Sequence, residues 1–303
     1  MKIYALAEGE LATRMREEGL CLRTGPFVTQ LQSAIDEVAR DIHTLYGPYD
    51  LEDRAGFIDF DVRLIRPRGL RRWWRPQVQF VFDGGVPFKP LPLSQAFPMF
   101  EWGLNWCIAS NMHRYLLLHA AVVAREDRAV IMPGQPGSGK STLCAGLVSR
   151  GWRLLSDEMA IVVPESGEIL PVPRPVSLKN ESIAVIRAFA PSAVIGRSWE
   201  DTRKGTVAHM GVPEASVHAA RVAAMPVSIV APKFVRGAGA ELEAEAKASM
   251  FMYLAKNSFN YHVLGPRGFT ALGRVLERCT CYHLGFGDLA SAVATVDGLP
   301  HDS

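Results

Sequence analysis

Long apolar runs are missing from this 303-residue chain. The longest near the middle, Tyr115 to Ala124, is broken by His119 and falls short of the ~18 residues that a membrane-spanning helix needs. A soluble protein with no membrane partner is expected. Met1 to Glu10 carries Lys2, Glu8 and Glu10 and lacks the apolar core of a secretory signal, so the expected compartment is the cytoplasm. Cysteine is scarce too: Cys21, Cys107, Cys144, Cys279 and Cys281 form an odd and scattered set, which suits reduced thiols better than a disulfide framework. Cys279 and Cys281 stand too close together for half of an ordinary zinc site, and no matching pair or histidine cluster follows. An excess of one charge is also lacking. Lys and Arg number 33 against 31 Asp and Glu, a net of +2, so no nucleic-acid partner is expected. With 48% hydrophobic and 21% charged residues, disordered and fibrous classes are excluded. At ~150 residues per domain, the length fits one large or two small domains.

Residues 1–110 read as a small mixed α/β module. Between Phe27 and Tyr46, apolar Val28, Leu31, Ile35, Val38, Ile42 and Leu45 recur three or four apart and Gly47-Pro48 follows, which predicts one amphipathic helix. Phe57 to Leu64 and Val78 to Phe82 alternate like strands, with a turn at Asp83-Gly84-Gly85, and a small antiparallel sheet is expected. Between them, Arg63 to Arg75 holds six arginines, no acid, and the pair Trp73-Trp74. Such a run is usually a solvated loop; the sharper reading is a docking patch for an acidic partner. Glu101 to Leu118 reads as a helix passing into a strand. Helices are also predicted over Ala240 to Lys256, Gly268 to Arg278 and Asp288 to Val296, with a strand at Cys279 to Leu284.

Residues 111–303 hold the chemistry. Leu116 to Val123 and Ala129 to Met132 read as buried strands joined by a turn. The second delivers the chain into Gly134-Gln135-Pro136-Gly137-Ser138-Gly139-Lys140-Ser141-Thr142, and a helical stretch runs from Leu143 to Arg150. Gly134 to Ser141 matches G-x-x-x-x-G-K-[ST] between a strand and a helix, the context that marks a phosphate-binding loop. The glycines let successive amides curl around a phosphate, and the helix N-terminus adds its positive end. Lys140 would reach the terminal phosphates, and Ser141 would offer a hydroxyl to magnesium.

Asp157 follows Lys140 by 17 residues, enough for one short helix and one strand, Trp152 to Ser156. Asp157 and Glu158 therefore emerge at the end of that strand, facing the phosphates. A carboxylate there can hold magnesium or accept a proton from an attacking hydroxyl. His119 interrupts an apolar strand that leads by one hairpin into the loop, so its end can lie beside the phosphates. Further along, Arg174, Lys179, Arg203, Lys204 and His209 offer cations against the charge of a transferred phosphoryl group. Lys179 and Lys204 are favoured, the latter because Gly205 beside it permits close backbone approach. Asn257 and Asn260, near a helix end, read as caps or surface residues. Leu-Ser-Gly-Gly-x, required of transport ATPases, and Asn-Lys-x-Asp, required of GTPases, do not occur.

Together His119-Ala120-Ala121-Val122-Val123, the phosphate-binding loop, and Arg150-Gly151-Trp152-Arg153-Leu154-Leu155-Ser156-Asp157-Glu158-Met159-Ala160-Ile161-Val162 resemble the catalytic domain of the HPr kinase/phosphorylase family. In that family a His-Gly-Val-Leu-Val-like strand precedes the loop and an Arg-Gly-His-x-Leu-x-Ala-Asp-Asp-x-Val segment follows it. The match covers about 45 residues, Leu118 to Val162; the remainder is similar to the divergent HPr-kinase-related group of bacterial gene clusters, some relatives of which phosphorylate peptides. The resemblance implies a mixed α/β P-loop core related to phosphoenolpyruvate carboxykinase. It implies ATP and Mg2+ as cofactors, His119 and Asp157 as a catalytic pair around a serine hydroxyl, and self-association, since the family forms hexamers.

Glu158 stands where the family has a second aspartate, and could still bind magnesium. The family's Gly-Arg-Gly-x-Gly-x-x-x-Val signature, which contacts the protein substrate, has no counterpart after residue 162, so HPr itself is not the expected substrate. The expected activity is an ATP- and magnesium-dependent kinase acting on a Ser or Thr hydroxyl of a small protein or peptide. Asp157, His119 and Lys140 are assigned to catalysis, and Ser141, Glu158 and Asp157 to metal. A small-molecule kinase and a non-catalytic nucleotide sensor or scaffold are the alternatives.

Overall fold

A computed structural model describes residues 1–52, 56–69 and 74–299. The chain runs α1 (Glu8–Glu17), β1 (Leu20–Thr24), β2 (Phe27–Ser33), α2 (Asp36–Leu45), β3 (Phe60–Ile65), β4 (Gln77–Phe82), β5 (Leu91–Pro92) and α3 (Ala96–Asn111). There follow β6 (Leu116–Leu118), β7 (Ala120–Arg125), β8 (Arg128–Pro133), α4 (Lys140–Ser149), β9 (Arg153–Ser156), β10 (Ala160–Val162), β11 (Ile169–Leu170), β12 (Val176–Lys179) and α5 (Glu181–Phe189). The last third is β13 (Trp199–Thr202), β14 (Gly205–Met210), α6 (Glu214–His218), β15 (Met225–Phe234), β16 (Glu241–Ala244), α7 (Lys247–Lys256), α8 (Tyr261–Leu264), α9 (Pro266–Arg278), β17 (Thr280–Phe286) and α10 (Leu289–Asp297). The architecture is mixed α and β, as expected.

The first five strands form one sheet in the order β1-β2-β3-β4-β5. It is mixed rather than antiparallel, because β2 and β3 run parallel. Phe27 to Ser33 is a strand, not the start of a helix. Gly25, at φ +63°, closes a tight turn that pairs Thr24 with Phe27, and β2 then lies between β1 and β3, burying Phe27, Thr29, Leu31 and Ser33 on one face and only Val28 on the other. Polar Thr29 and Ser33 occupy the buried face and hide the two-residue alternation of a strand, so Val28 and Leu31 merge with the helical spacing of Ile35, Val38, Ile42 and Leu45, which is real. Leu70 to Trp73, the centre of the arginine-rich segment with Arg71 and Arg72, lies outside the described residues.

The six-stranded sheet, ordered β16-β17-β15-β8-β7-β9, carries the candidate site. Here the single helix expected over residues 240–256 is divided. Glu241–Ala244 forms an antiparallel edge strand on β17, its mostly exposed Glu-rich surface being of the kind that blunts a sheet edge, and the helix begins only at Lys247. The strand expected over Leu116 to Val123 also breaks, at His119: β6 pairs with β10 in a separate small sheet, whereas β7 pairs with β8 and β9.

One buried cluster runs unbroken from α1, α2 and α3 into α4, β9 and β12, through Phe97, Phe100, Leu104, Leu143, Leu154 and Val176. A second packs α7 and α9 on the opposite face of the large sheet through Met250, Leu254, Leu272, Val275 and Leu276. Each such buried Leu or Val contributes about 1.5–3 kcal/mol. Helix α9 is positioned by Pro266 at its first turn and by a stripe of Ala271, Leu272, Val275 and Leu276 one helical turn apart. Cys107, Cys144, Cys279 and Cys281 are buried free thiols, and among the described residues no helix is long and apolar enough to cross a membrane.

Candidate active site

Strand order explains why three distant segments meet. β7 lies antiparallel between β8 and β9, so the C-terminal ends of β8 and β9 and the N-terminal end of β7 share one edge of the sheet. Those ends carry Gly134–Gly139, Asp157-Glu158 and His119 respectively.

The loop after β8 has the backbone that its glycines require. Gly137 and Gly139 sit at φ +89° and +87°, where side chains are strained. A Cβ on Gly139 would stand 2.6 Å from the Phe286 ring, and one on Gly134 would stand 2.4 Å from Ser138 Oγ. Gln135, Pro136 and Gly137 form an exposed crest. The loop is held from outside: the Phe234 amide donates to the Ser138 carbonyl at 3.0 Å, and the Gln135 side-chain amide donates to Asn257 Oδ1 at 2.6 Å. Lys140 opens α4 and is buried; burial pulls its ammonium pKa down, against the opposing pull of Glu158 and Asp157. Ser141 and Thr142 follow in the first turn.

Asp157 is 4% exposed. Its Oδ2 accepts a hydrogen bond from the Ser177 amide at 3.0 Å, while Oδ1 has no partner among the described residues. Burial, then the neighbouring Glu158 charge, pushes its pKa up to about 6, with Lys140, the Ser177 amide and the Ser141 hydroxyl opposing. Glu158 goes the other way. Burial alone would raise its pKa, but His119, Lys140, Lys179 and Lys204 outweigh that and hold it well below the usual carboxylate range. His119 Nε2 is 3.6 Å and Lys179 Nζ 4.0 Å from its oxygens, and Lys204 rests its ammonium over the Trp102 ring, 5.1 Å from the centroid. The site thus holds two adjacent carboxyls whose surroundings push them apart, the usual condition for dividing acid–base and electrostatic roles.

Lys140, Ser141, Asp157, Glu158, His119, Lys179 and Lys204 are therefore drawn together, and the remaining expected cations are not. Arg174 is buried and spent on Glu101, at 3.5 Å, and on the Asn105 side chain. His209 is fully buried between Phe97 and Trp199, whose ring centroids lie 5.3 and 5.4 Å away; burial lowers its pKa to about 3, so it is neutral rather than cationic. Arg203 is exposed.

The donor set suits the expected cofactors. Glycine-lined amides and a buried lysine fit phosphate, and Ser141, Asp157 and Glu158 offer the hard oxygens that magnesium prefers. Among the described residues no three His, Cys, Asp or Glu side chains form a metal cage, and magnesium ordinarily takes only one or two carboxylates together with phosphate and water.

No known family model matches this chain, and no curated protein matches it.

Sequence reasoning missed the residues that brace the site. Asn257 and Asn260 do end and begin helices, but both are buried. Besides holding Gln135, Asn257 receives the His119 amide on its carbonyl at 2.7 Å. The Asn260 side chain accepts from the Leu117 amide at 2.9 Å and donates to the Tyr115 carbonyl at 2.8 Å. An asparagine at a helix end gives a capping signal, and nothing local distinguishes a cap from a brace.

Proposed function

We propose that the protein is an HPr-kinase-like P-loop phosphotransferase, dependent on ATP and magnesium, that phosphorylates a Ser or Thr hydroxyl of a small protein or peptide. The observation that carries this reading is Asp157: a buried carboxyl with one unpartnered oxygen and a raised pKa, beside the lysine of a phosphate-binding loop. When bound, ATP would supply the γ-phosphoryl group, and magnesium held by Ser141 and Glu158 would neutralise its charge. The residues then divide the work. Lys140 and the loop amides hold the β- and γ-phosphates, and Lys179 and Lys204 offset negative charge around Glu158. Asp157 Oδ1 accepts the acceptor's proton as the acceptor oxygen bonds to phosphorus and the bond to the ADP oxygen breaks. His119 holds Glu158 in place.

The experiment is ATP turnover by the purified chain with magnesium and a bacterial peptide extract, with acceptors read by mass spectrometry. Phosphoserine or phosphothreonine that appears with wild type and is absent with Asp157→Asn and Lys140→Ala supports the proposal. Unchanged phosphorylation in Asp157→Asn overturns it.

A further inference from the structure

Asp157 does more than face the phosphate-binding loop. It also lines a cleft of about 330 Å3, counted to its open mouth, whose walls include Trp102 of α3, Arg174, Ser177 of β12 and His209 of β14. Trp102 Nε1, Asp157 Oδ1, Ser177 Oγ and both His209 nitrogens are buried and have no hydrogen-bond partner among the described residues. Such atoms are rare in folded proteins, and each costs about 1–3 kcal/mol when left unpaired. These four residues on separate segments line one cleft, so the partners of their orphan atoms come from outside the chain, as water or as a bound group.

The orphan atoms specify that group. Trp102 can only donate, an ionised Asp157 can only accept, and Ser177 and a neutral imidazole can do both. A group that donates to Asp157 and accepts from Trp102 or Ser177 suits this set, as a hydroxyl does. Charge narrows the class further. Arg174 is spent on Glu101, His209 is neutral, Lys179 turns to Glu158 and Lys204 lies over the Trp102 ring outside the lining, whereas Glu101 and Glu158 line the cleft with Asp157, so a second negative charge would meet three carboxyls. The room inside the cleft is close to that of a single water, enough for one functional group whose parent molecule remains outside.

We propose that this cleft is the acceptor subsite, that it takes an uncharged hydroxyl-bearing group and rejects phosphorylated or carboxylate-bearing alcohols, and that Trp102 and His209 position it. The inference deepens the kinase reading and rests on it for the word acceptor. It also places acceptor choice on α3, in the N-terminal part of the chain. Trp102 and His209 are positioning residues; Asp157 is the group that reacts.

The test uses the full chain labelled with 15N at indole, with the Trp102 resonance assigned by its loss in Trp102→Phe. The probes are N-acetylserine methylamide, its alanine counterpart without the hydroxyl, and glycerol 3-phosphate. The serine amide is expected to shift the Trp102 resonance where the other two do not, and His209→Gln is expected to weaken that response about fivefold to tenfold, the loss of one hydrogen bond. In turnover, Trp102→Phe should raise the KM for the serine amide by a similar factor with kcat and the KM for ATP unchanged, a split that a general loss of structure would not give. No shift with the serine amide, or an equal shift with glycerol 3-phosphate, overturns the subsite even if ATP is consumed. A shift with no phosphoryl transfer keeps the subsite and overturns the kinase reading instead.

Discussion

His119 Nε2 stands 3.6 Å from Glu158 Oε2, and among the described residues no ion pair joins it to Asp157. The family resemblance implies His119 and Asp157 as a pair around the acceptor hydroxyl. In the structure the carboxylate beside His119 is Glu158, which the proposed mechanism gives to magnesium. Two groups that act separately have multiplicative effects, whereas two that act as a unit do not. Asp157→Asn should lower phosphoryl transfer about 10^2- to 10^4-fold and His119→Gln about 10-fold or more. The double variant should then show the product of the two losses. Single-turnover rates for the four proteins check this; a double variant no slower than Asp157→Asn would mean that His119 serves Asp157.

Asp157 also makes activity and stability respond to pH in opposite directions. Its folded-state pKa of about 6 lies above the ordinary value of 3.8, so the folded protein binds its proton more tightly. The stability this gives is complete below pH ~4 and is lost as pH rises through about 6. Transfer, which needs the ionised form, should rise over the same interval. Asp157→Asn removes the buried charge, so its melting temperature should exceed that of wild type at pH 7.5, by an amount corresponding to on the order of 2 kcal/mol, with the gap closing by pH 4. Thermal melts at the two pH values decide it.

Gly139→Ala should damage the loop by geometry alone. The new Cβ would meet the Phe286 ring at 2.6 Å, at a φ of +87°, and strain of this kind costs about 1–3 kcal/mol before any repacking. Urea denaturation should show that loss, and ATP affinity should fall with it. Gly151→Ala is the control for φ without crowding, since Gly151 has φ +93° and open space around its Cβ position.

Asn257→Ala should loosen the glycine-rich loop after β8 from a distance. It removes the acceptor for Gln135 at 2.6 Å and leaves the crest of the loop untied. The expected result is a KM for ATP raised about fivefold and a stability loss of about 1 kcal/mol, the scale of one hydrogen bond. An unchanged KM would show that the loop holds its shape without the tie.

What could be read in advance was whatever a single segment encodes. A strand, a glycine-rich loop, a helix and a second strand follow one another from Arg128 to Ser156, so the loop and the emergence of Asp157 and Glu158 were legible from spacing alone. Residues 27–33 were not, because polar Thr29 and Ser33 stand on the buried face and hide its period. Glu241 to Ala244 misled for the opposite reason: good helix formers were recruited into an edge strand by β17. Trp102, Arg174 and His209 come from three parts of the chain that only tertiary packing joins. His209 looked like one more cation in a basic stretch until the rings of Phe97 and Trp199 closed around it.

The Tyr49 hydroxyl donates to the Pro173 carbonyl at 2.5 Å and that of Tyr46 to Glu101 Oε1 at 2.6 Å, and both tyrosines are fully buried. Pro173 begins the short stretch that ends at Ser177, whose amide holds Asp157. A gene trimmed to start at residue 111 would therefore strip the backing from that stretch and bare the apolar faces of β12 and α4. Its product should be an aggregating fragment rather than a self-standing domain.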